Sequence, residues 1–188
     1  MKALFIHGLA SSGAYKMAST LRILLHCEVI APDVPIEPGA AMKLLHDICA
    51  SERPDIIVGL SLGGFMAQKL RGFRKVLVNP DLHPSRLLST MKGRVKYLSP
   101  RADGAEDFLI TDEICAGYKL LEDGEFIGLD ETERSITRGC FATDDEMVRC
   151  GDEFELHYPG QGVSYPGRHL PDYPATKAYI LPVIQSLL

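Results

Sequence analysis

Apolar residues fall along this chain in two recurring patterns: short, largely β-branched runs, and stretches with an apolar residue at every third or fourth position. Lys2-Ala3-Leu4-Phe5-Ile6-His7, bounded by Gly8, reads as a strand buried on both faces, since a strand of a parallel sheet has helices above and below it and needs no polar alternation. Met17, Leu21, Leu24 and Leu25 follow at i, i+4, i+7 and i+8, the stripe of an amphipathic helix. Val29 to Ala31 is a second strand, stopped by Pro32-Asp33-Val34-Pro35, and Met42, Leu45, Ile48 and Cys49 mark a second helix. Pro54 precedes a third strand that runs from Ile56 into Gly59-Leu60-Ser61-Leu62-Gly63-Gly64, and helical spacing resumes over Phe65 to Leu70. Lys75 to Val78 is a fourth strand, closed by Asn79-Pro80.

From Asp81 to Glu133 the alternation breaks. This segment predicts a short helix over 84–91, a basic stretch (Lys92, Arg94, Lys96, Arg101) and a helix carrying Ile110, Ile114, Tyr118 and Leu121 on one face. Residues 102–133 hold eleven acidic side chains and one basic one, Lys119, which reads either as a solvated face or as part of a cap over an active site. The rhythm returns with a fifth strand over Ser135 to Ala142, a helix ending near Tyr158, a turn at 159–162 and a last strand over Val163 to Tyr165. Lys177 to Leu188 predicts a closing helix that Pro182 should kink or delay. Strands alternating with amphipathic helices imply an α/β fold in three layers, with a minimal, mostly parallel sheet of about six strands and helices on both faces. The expected organisation is one domain, 1–188, with a small helical cap-like insertion at about 81–133.

Composition narrows the function. With 188 residues, 46% of them hydrophobic, the chain can bury a substantial core, and a net charge of −5 argues against a surface that tracks nucleic-acid phosphates. Five cysteines with no Cys-x-x-Cys pair fit reduced thiols better than a disulfide framework. No signal-peptide core and no run of membrane-spanning length is present, so the expectation is a soluble cytoplasmic protein.

The chemistry centres on the glycine-flanked serine. A strand, a sharp turn bearing Ser61 and a helix form a nucleophile elbow, which lifts the hydroxyl clear of the sheet and needs small neighbours where strand and helix pass closely. In a parallel sheet every loop that follows a strand lies on the same edge as Ser61. His169, after the last strand, meets that criterion as the base, and His83, after the fourth strand, is its rival. His157 ends a helix and precedes a strand, which places it at the opposite edge, while His26 and His46 read as structural. The acid candidates are Asp145, Asp144 and Asp81, in that order, with helix capping as the plain alternative for Asp144. The loop His7-Gly8-Leu9-Ala10-Ser11-Ser12-Gly13 can turn the Leu9 N–H towards the serine, to act with the Leu62 N–H as an oxyanion hole, and His7 itself reads as structural. The chain contains no His-Glu-x-x-His and no phosphate-binding loop, so neither metal nor cofactor is expected.

Phe5-Ile6-His7-Gly8-Leu9-Ala10-Ser11-Ser12, Val58-Gly59-Leu60-Ser61-Leu62-Gly63-Gly64, Val78-Asn79-Pro80, Thr143-Asp144-Asp145-Glu146-Met147-Val148 and Pro166-Gly167-Arg168-His169 together resemble the α/β-hydrolase superfamily, and within it the small bacterial YqiA-like esterases. The resemblance implies Ser61 as nucleophile, His169 as base and Asp145 as acid, acting on a small-molecule acyl ester through an acyl-enzyme. Two features depart from the pattern: Ala142 stands where a glycine often precedes the acid, and the doubled Asp leaves its identity open by one residue. A non-catalytic binding protein of the same fold, or a thioester or peptide hydrolase using the same residues, is the alternative reading.

Overall fold

The computed structural model describes residues 1–188. Six strands, β1 (Lys2–Ile6), β2 (Glu28–Ile30), β3 (Ile56–Leu60), β4 (Lys75–Val78), β7 (Thr137–Ala142) and β8 (Gly162–Tyr165), form one parallel sheet in the order β2-β1-β3-β4-β7-β8. The segment between β4 and β7 adds a separate antiparallel hairpin of β5 (Gly93–Lys96) and β6 (Asp107–Ile110). The helices are α1 (Lys16–Leu25), α2 (Pro38–Glu52), α3 (Leu62–Lys69), α4 (Pro84–Thr90), α5 (Asp112–Asp123), α6 (Glu131–Ser135), α7 (Gly151–His157), α8 (Tyr173–Ala175) and α9 (Leu181–Gln185). This is the α/β-hydrolase fold.

Strand side chains alternate between two cores because successive Cβ atoms point to opposite faces. Leu4, Ile6, Ile57 and Leu77 pack with Leu45, Phe65, Tyr118 and Phe154 on one side of the sheet. Ala3, Phe5, Val58, Val76 and Val78 pack with Met17, Leu21, Ile180 and Ile184 on the other. With both faces covered, the central strands can be apolar throughout, which is why they lack alternation in sequence. All five cysteines are free and four are buried, and burial pushes the Cys49 and Cys150 thiols to about 11 and Cys140 to about 12, where they behave as small apolar groups.

Four elements differ from expectation. The basic stretch is strand β5: Arg94 and Lys96 face water and Val95 packs against the core, a charged outer face suited to a hairpin with one side exposed. Ile110 therefore belongs to β6 rather than to the helix that follows. The fifth sheet strand starts at Thr137 because Asp130 caps a helical turn, its carboxylate accepting the Glu133 N–H. The closing helix starts earlier than its apolar spacing implies: Asp172 caps it, and a π-helical turn over Thr176–Ile180 precedes Pro182. A proline lacks an N–H and its ring crowds the carbonyl four residues back, so widening the preceding turn keeps the helix running.

The acidic segment is only partly a solvated face. Asp107, Asp112 and Asp123 pair with Arg94, Lys92 and Lys119, whereas Glu122, Glu125 and Glu133 turn inward, Glu122 accepting the Ser85 N–H and hydroxyl. Glu133 meets the fully buried Lys75 ammonium at 2.9 Å and also accepts the Gly72 N–H. Burial pulls Lys75 below the ordinary lysine range while Glu133 opposes the shift. Glu125 is buried with one carboxyl oxygen unpartnered, and desolvation, opposed by Lys69, pushes it up to about 9.

A carboxyl raised to about 9 is neutral in the native protein at pH 7 but ionised in the unfolded chain, whose value is ~4.3. Its stabilising contribution is complete below the unfolded value and is lost as pH rises towards the folded one. The advantage of Glu125→Gln over the wild type in urea midpoint should therefore grow steadily from pH 5 to pH 8. A gap independent of pH would show that the carboxyl ionises normally in the fold.

Candidate active site

Ser61 alone makes the turn between β3 and α3, at φ 56° and ψ −121°. The turn closes only because side chains are missing around it: a Cβ on Gly63 would lie 2.1 Å from the Ile6 carbonyl oxygen, and one on Gly59 2.3 Å from that of Gly63. The Ser61 N–H donates to the Val78 carbonyl at 3.0 Å, and its own carbonyl accepts the Asp81 N–H at 3.2 Å. Ala10, Ser61 and Asn79 are non-glycine residues at positive φ, in the loops leaving β1, β3 and β4. Each such conformation costs on the order of 1–3 kcal/mol, and three of the five non-glycine residues that adopt one lie at the carboxyl edge of the sheet, the others, His26 and Arg53, ending α1 and α2.

That edge brings together side chains far apart in sequence. His169 Nε2 stands 2.9 Å from Ser61 Oγ, and His169 Nδ1 stands 2.8 Å from Asp145 Oδ2. The three residues are 7%, 3% and 2% exposed for Ser61, Asp145 and His169. Asp145 Oδ1 accepts the Met147 and Val148 N–H groups, both at 2.8 Å, so the turn after β7 fixes the carboxylate as it presents its second oxygen to the ring. An ionised carboxylate only accepts, which puts the imidazole proton on Nδ1 and leaves the Nε2 lone pair facing the serine hydroxyl.

The competing candidates go elsewhere. Asp144 is exposed, its main-chain N–H donating to the Gly167 carbonyl. Asp81 is buried, burial pushes its carboxyl up, and its Oδ1 accepts the His83 N–H. His83 pairs with Glu153 at 2.7 Å, and His157 stacks on Phe126 with ring centroids 3.5 Å apart.

The loop after β1 is held from two sides. Val34 N–H can only donate, so His7 Nε2 accepts it at 3.0 Å and Nδ1–H bonds the Gly8 carbonyl at 2.8 Å; burial lowers the ring pKa and keeps it neutral. Asp33 clamps the same loop to the segment after β5, accepting Gly13 N–H at 2.8 Å and Ala102 N–H at 2.7 Å. Burial alone would raise the Asp33 carboxyl; these donors and Arg101 bring it below the usual range. Leu98 N–H donates to the strained Ala10 carbonyl at 2.7 Å. Within this frame the Leu9 N–H makes no backbone hydrogen bond, and Leu62, as first residue of α3, has no intrahelical acceptor for its own.

A cleft of about 170 Å³ opens over Ser61 and His169, walled by Leu9, Tyr15, Leu87, Leu98, Met147 and Leu170. Leu87 and Leu98 come from the segment between β4 and β7, and Leu98 is 82% exposed at the mouth. No three His, Cys, Asp or Glu side chains converge as a metal site. Sequence patterning missed Asp33 and Leu98, since Asp33 bridges residues 20 and 69 positions away and Leu98 meets a loop near the start of the chain; only the proline-bounded turn around Asp33 hinted at a loop.

The model of a family described as "Uncharacterised protein family (UPF0227)" matches residues 2–113. A UPF0227 protein of Shewanella sp. (strain ANA-3) is 30% identical over 92 residues, a match covering 40% of this chain and 49% of the relative, so the chain spans about half the length of that curated relative. Among solved structures, a methylesterase from Arabidopsis superposes with a TM-score of 0.64 at 11% identity, covering 100% of both chains. A monoacylglycerol lipase from Paleococcus ferrophilus superposes with a TM-score of 0.60 at 13% identity over 97% of this chain and 94% of that one.

If Asp33 clamps the loop after β1, Asp33→Ala should speed hydrogen exchange at the Gly13 and Ala102 amides roughly tenfold or more, as expected for losing a charge-assisted bond worth ~1.5–3 kcal/mol. Unchanged protection at both amides would mean that the loop is held without it.

Proposed function

We propose that this chain, which belongs to the UPF0227 family, is a serine hydrolase that cleaves carboxylic esters through an acyl-enzyme at Ser61. The observation that carries this reading is the unbroken chain of hydrogen bonds from Asp145 through His169 to Ser61, at 2.8 and 2.9 Å, at the floor of an apolar cleft. The hydrolase names borne by proteins of the same fold agree with it.

In the proposed reaction Ser61 Oγ attacks the ester carbonyl carbon while its proton passes to His169 Nε2. Asp145, accepting from Nδ1–H, stabilises the imidazolium that results. The carbonyl oxygen becomes an anion held by the N–H groups of Leu9 and Leu62, donors already free of other partners and therefore needing no reorganisation. Collapse of this intermediate breaks the bond to the leaving alcohol, whose oxygen takes the proton from Nε2. Water then enters, gives a proton to Nε2 as its oxygen attacks the acyl carbon, and the acid departs as Ser61 regains its hydrogen. The leucine-lined walls favour an apolar acyl group, since each buried CH₂ contributes ~0.8 kcal/mol. A thioester would follow the same steps with a thiol leaving group.

A fluorophosphonate probe should label Ser61, identified by mapping the modified peptide, and Ser61→Ala and His169→Ala should abolish both labelling and hydrolysis of a short-chain p-nitrophenyl ester. Asp145→Asn should lower kcat by roughly 10³–10⁴-fold by favouring the wrong imidazole tautomer. Asp144→Ala should leave kcat within about twofold, as expected for an exposed residue making no side-chain bond. A wild-type protein that neither labels nor hydrolyses esters would instead indicate a non-catalytic binding protein.

A further inference from the structure

We propose that Asn79 is a positioning residue of this site, its side-chain amide holding the base loop and the acid-bearing strand in register with the nucleophile. The inference rests on the esterase reading for its kinetic consequence, though not for its geometry.

Asn79 follows β4 directly, is 2% exposed and has φ 44°. Its Oδ1 accepts the Ala142 N–H at 2.8 Å, at the last residue of the strand that leads to Asp145. Its Nδ2 donates to the His169 carbonyl at 2.7 Å and to the Tyr165 hydroxyl at 3.0 Å, with a longer contact to the Arg168 carbonyl at 3.3 Å. The partners fix the orientation of the amide: Ala142 N–H can only donate and His169 C=O can only accept. No other hydrogen bond reaches the His169 main chain, so the backbone of the base is held by this one group.

The next two residues complete the arrangement. Pro80 packs so closely on α3 that a Cβ on Gly64 would lie 2.8 Å from the proline Cβ, and Asp81 N–H donates to the Ser61 carbonyl. Three consecutive residues after β4 thus touch the nucleophile elbow, the strand of the acid and the loop of the base. The position demands an amide short enough to bridge 142 and 169, on a backbone in the left-handed region. Asparagine meets both demands, because among residues with a Cβ it tolerates positive φ best and carries donor and acceptor together. An aspartate lacks the donor, and an aliphatic residue would leave the Ala142 N–H, the His169 carbonyl and the Tyr165 hydroxyl without this partner.

Asn79→Gly keeps the backbone conformation and deletes the amide; Asn79→Asp keeps the acceptor for Ala142 and deletes the donor to His169. Both should lower kcat and the rate of fluorophosphonate labelling by roughly 10- to 100-fold with KM nearly unchanged, the scale of effect expected when a reacting group drifts by about 1 Å. The measurements are made well below each variant's thermal midpoint. With Asp145 and His169 less firmly paired, the acidic limb of the Asn79→Gly pH–rate profile should move to lower pH, a change that general destabilisation would not produce. Independently of turnover, the downfield NMR signal of the His169 Nδ1–H should broaden or vanish in both variants. Retention of kcat within twofold, or a loss that only tracks the unfolded fraction, overturns the inference while leaving the esterase reading intact. If the wild type proves inactive, that reading fails, and the His169 signal alone decides: its loss in both variants supports the positioning role and its persistence overturns it.

Discussion

The backbone contact between α3 and the ends of β1 and β3 is the constraint on which the site depends. With only hydrogens on Gly59 and Gly63, the helix starts against the Ile6 and His7 carbonyls, and Ser61 is forced into a positive φ that points its hydroxyl away from the sheet. A single methyl group at either glycine would meet backbone, which cannot rotate away as a side chain can. The cost of the strained turn is met by two apolar cores on either side of the sheet, whose central strands are buried on both faces.

Around that contact the parallel sheet acts as a sorting device. Every strand delivers its following loop to the same edge, so β1, β3, β4, β7 and β8 contribute the loop of Leu9, the elbow, Asn79, Asp145 and His169 in turn. Three of the five non-glycine residues at positive φ, Ala10, Ser61 and Asn79, also lie at that edge. Away from it, polar burial takes a different form. The Lys75–Glu133 pair ties the end of the 81–133 segment to β4, and Gln68 of α3 donates to the Glu125 main-chain carbonyl. Removing one partner of such a buried pair costs about 3–5 kcal/mol, so Lys75 and Glu133 serve stability.

The 81–133 segment links the two regions. Its inner end is tied by Glu133 and Glu125, while its outer hairpin is latched through Asp33 and the Leu98–Ala10 bond to the loop that carries the Leu9 N–H. The same hairpin supplies Leu98 to the mouth of the cleft. One segment therefore lines both the cleft over Ser61 and the loop beside it.

Taken alone, the sequence determined the succession of the six sheet strands, the turn at Ser61 and the edge on which each candidate would lie. These follow from local rules: burial on two faces removes alternation, glycine permits close approach, and parallel strands share direction. It ranked Asp145 ahead of Asp144 and Asp81, and His169 ahead of His83, without separating them, because adjacent or equally placed residues differ only in where their side chains point. Where they point is a matter of tertiary packing. The bonds from Met147 and Val148 turn Asp145, and not its exposed neighbour, towards the ring. The β5–β6 hairpin, the π-helical turn before Pro182 and the part played by Asn79 were likewise invisible in the pattern. Each depends on a partner distant in sequence or on a helix relaxing around one residue, and hydrophobic periodicity records neither.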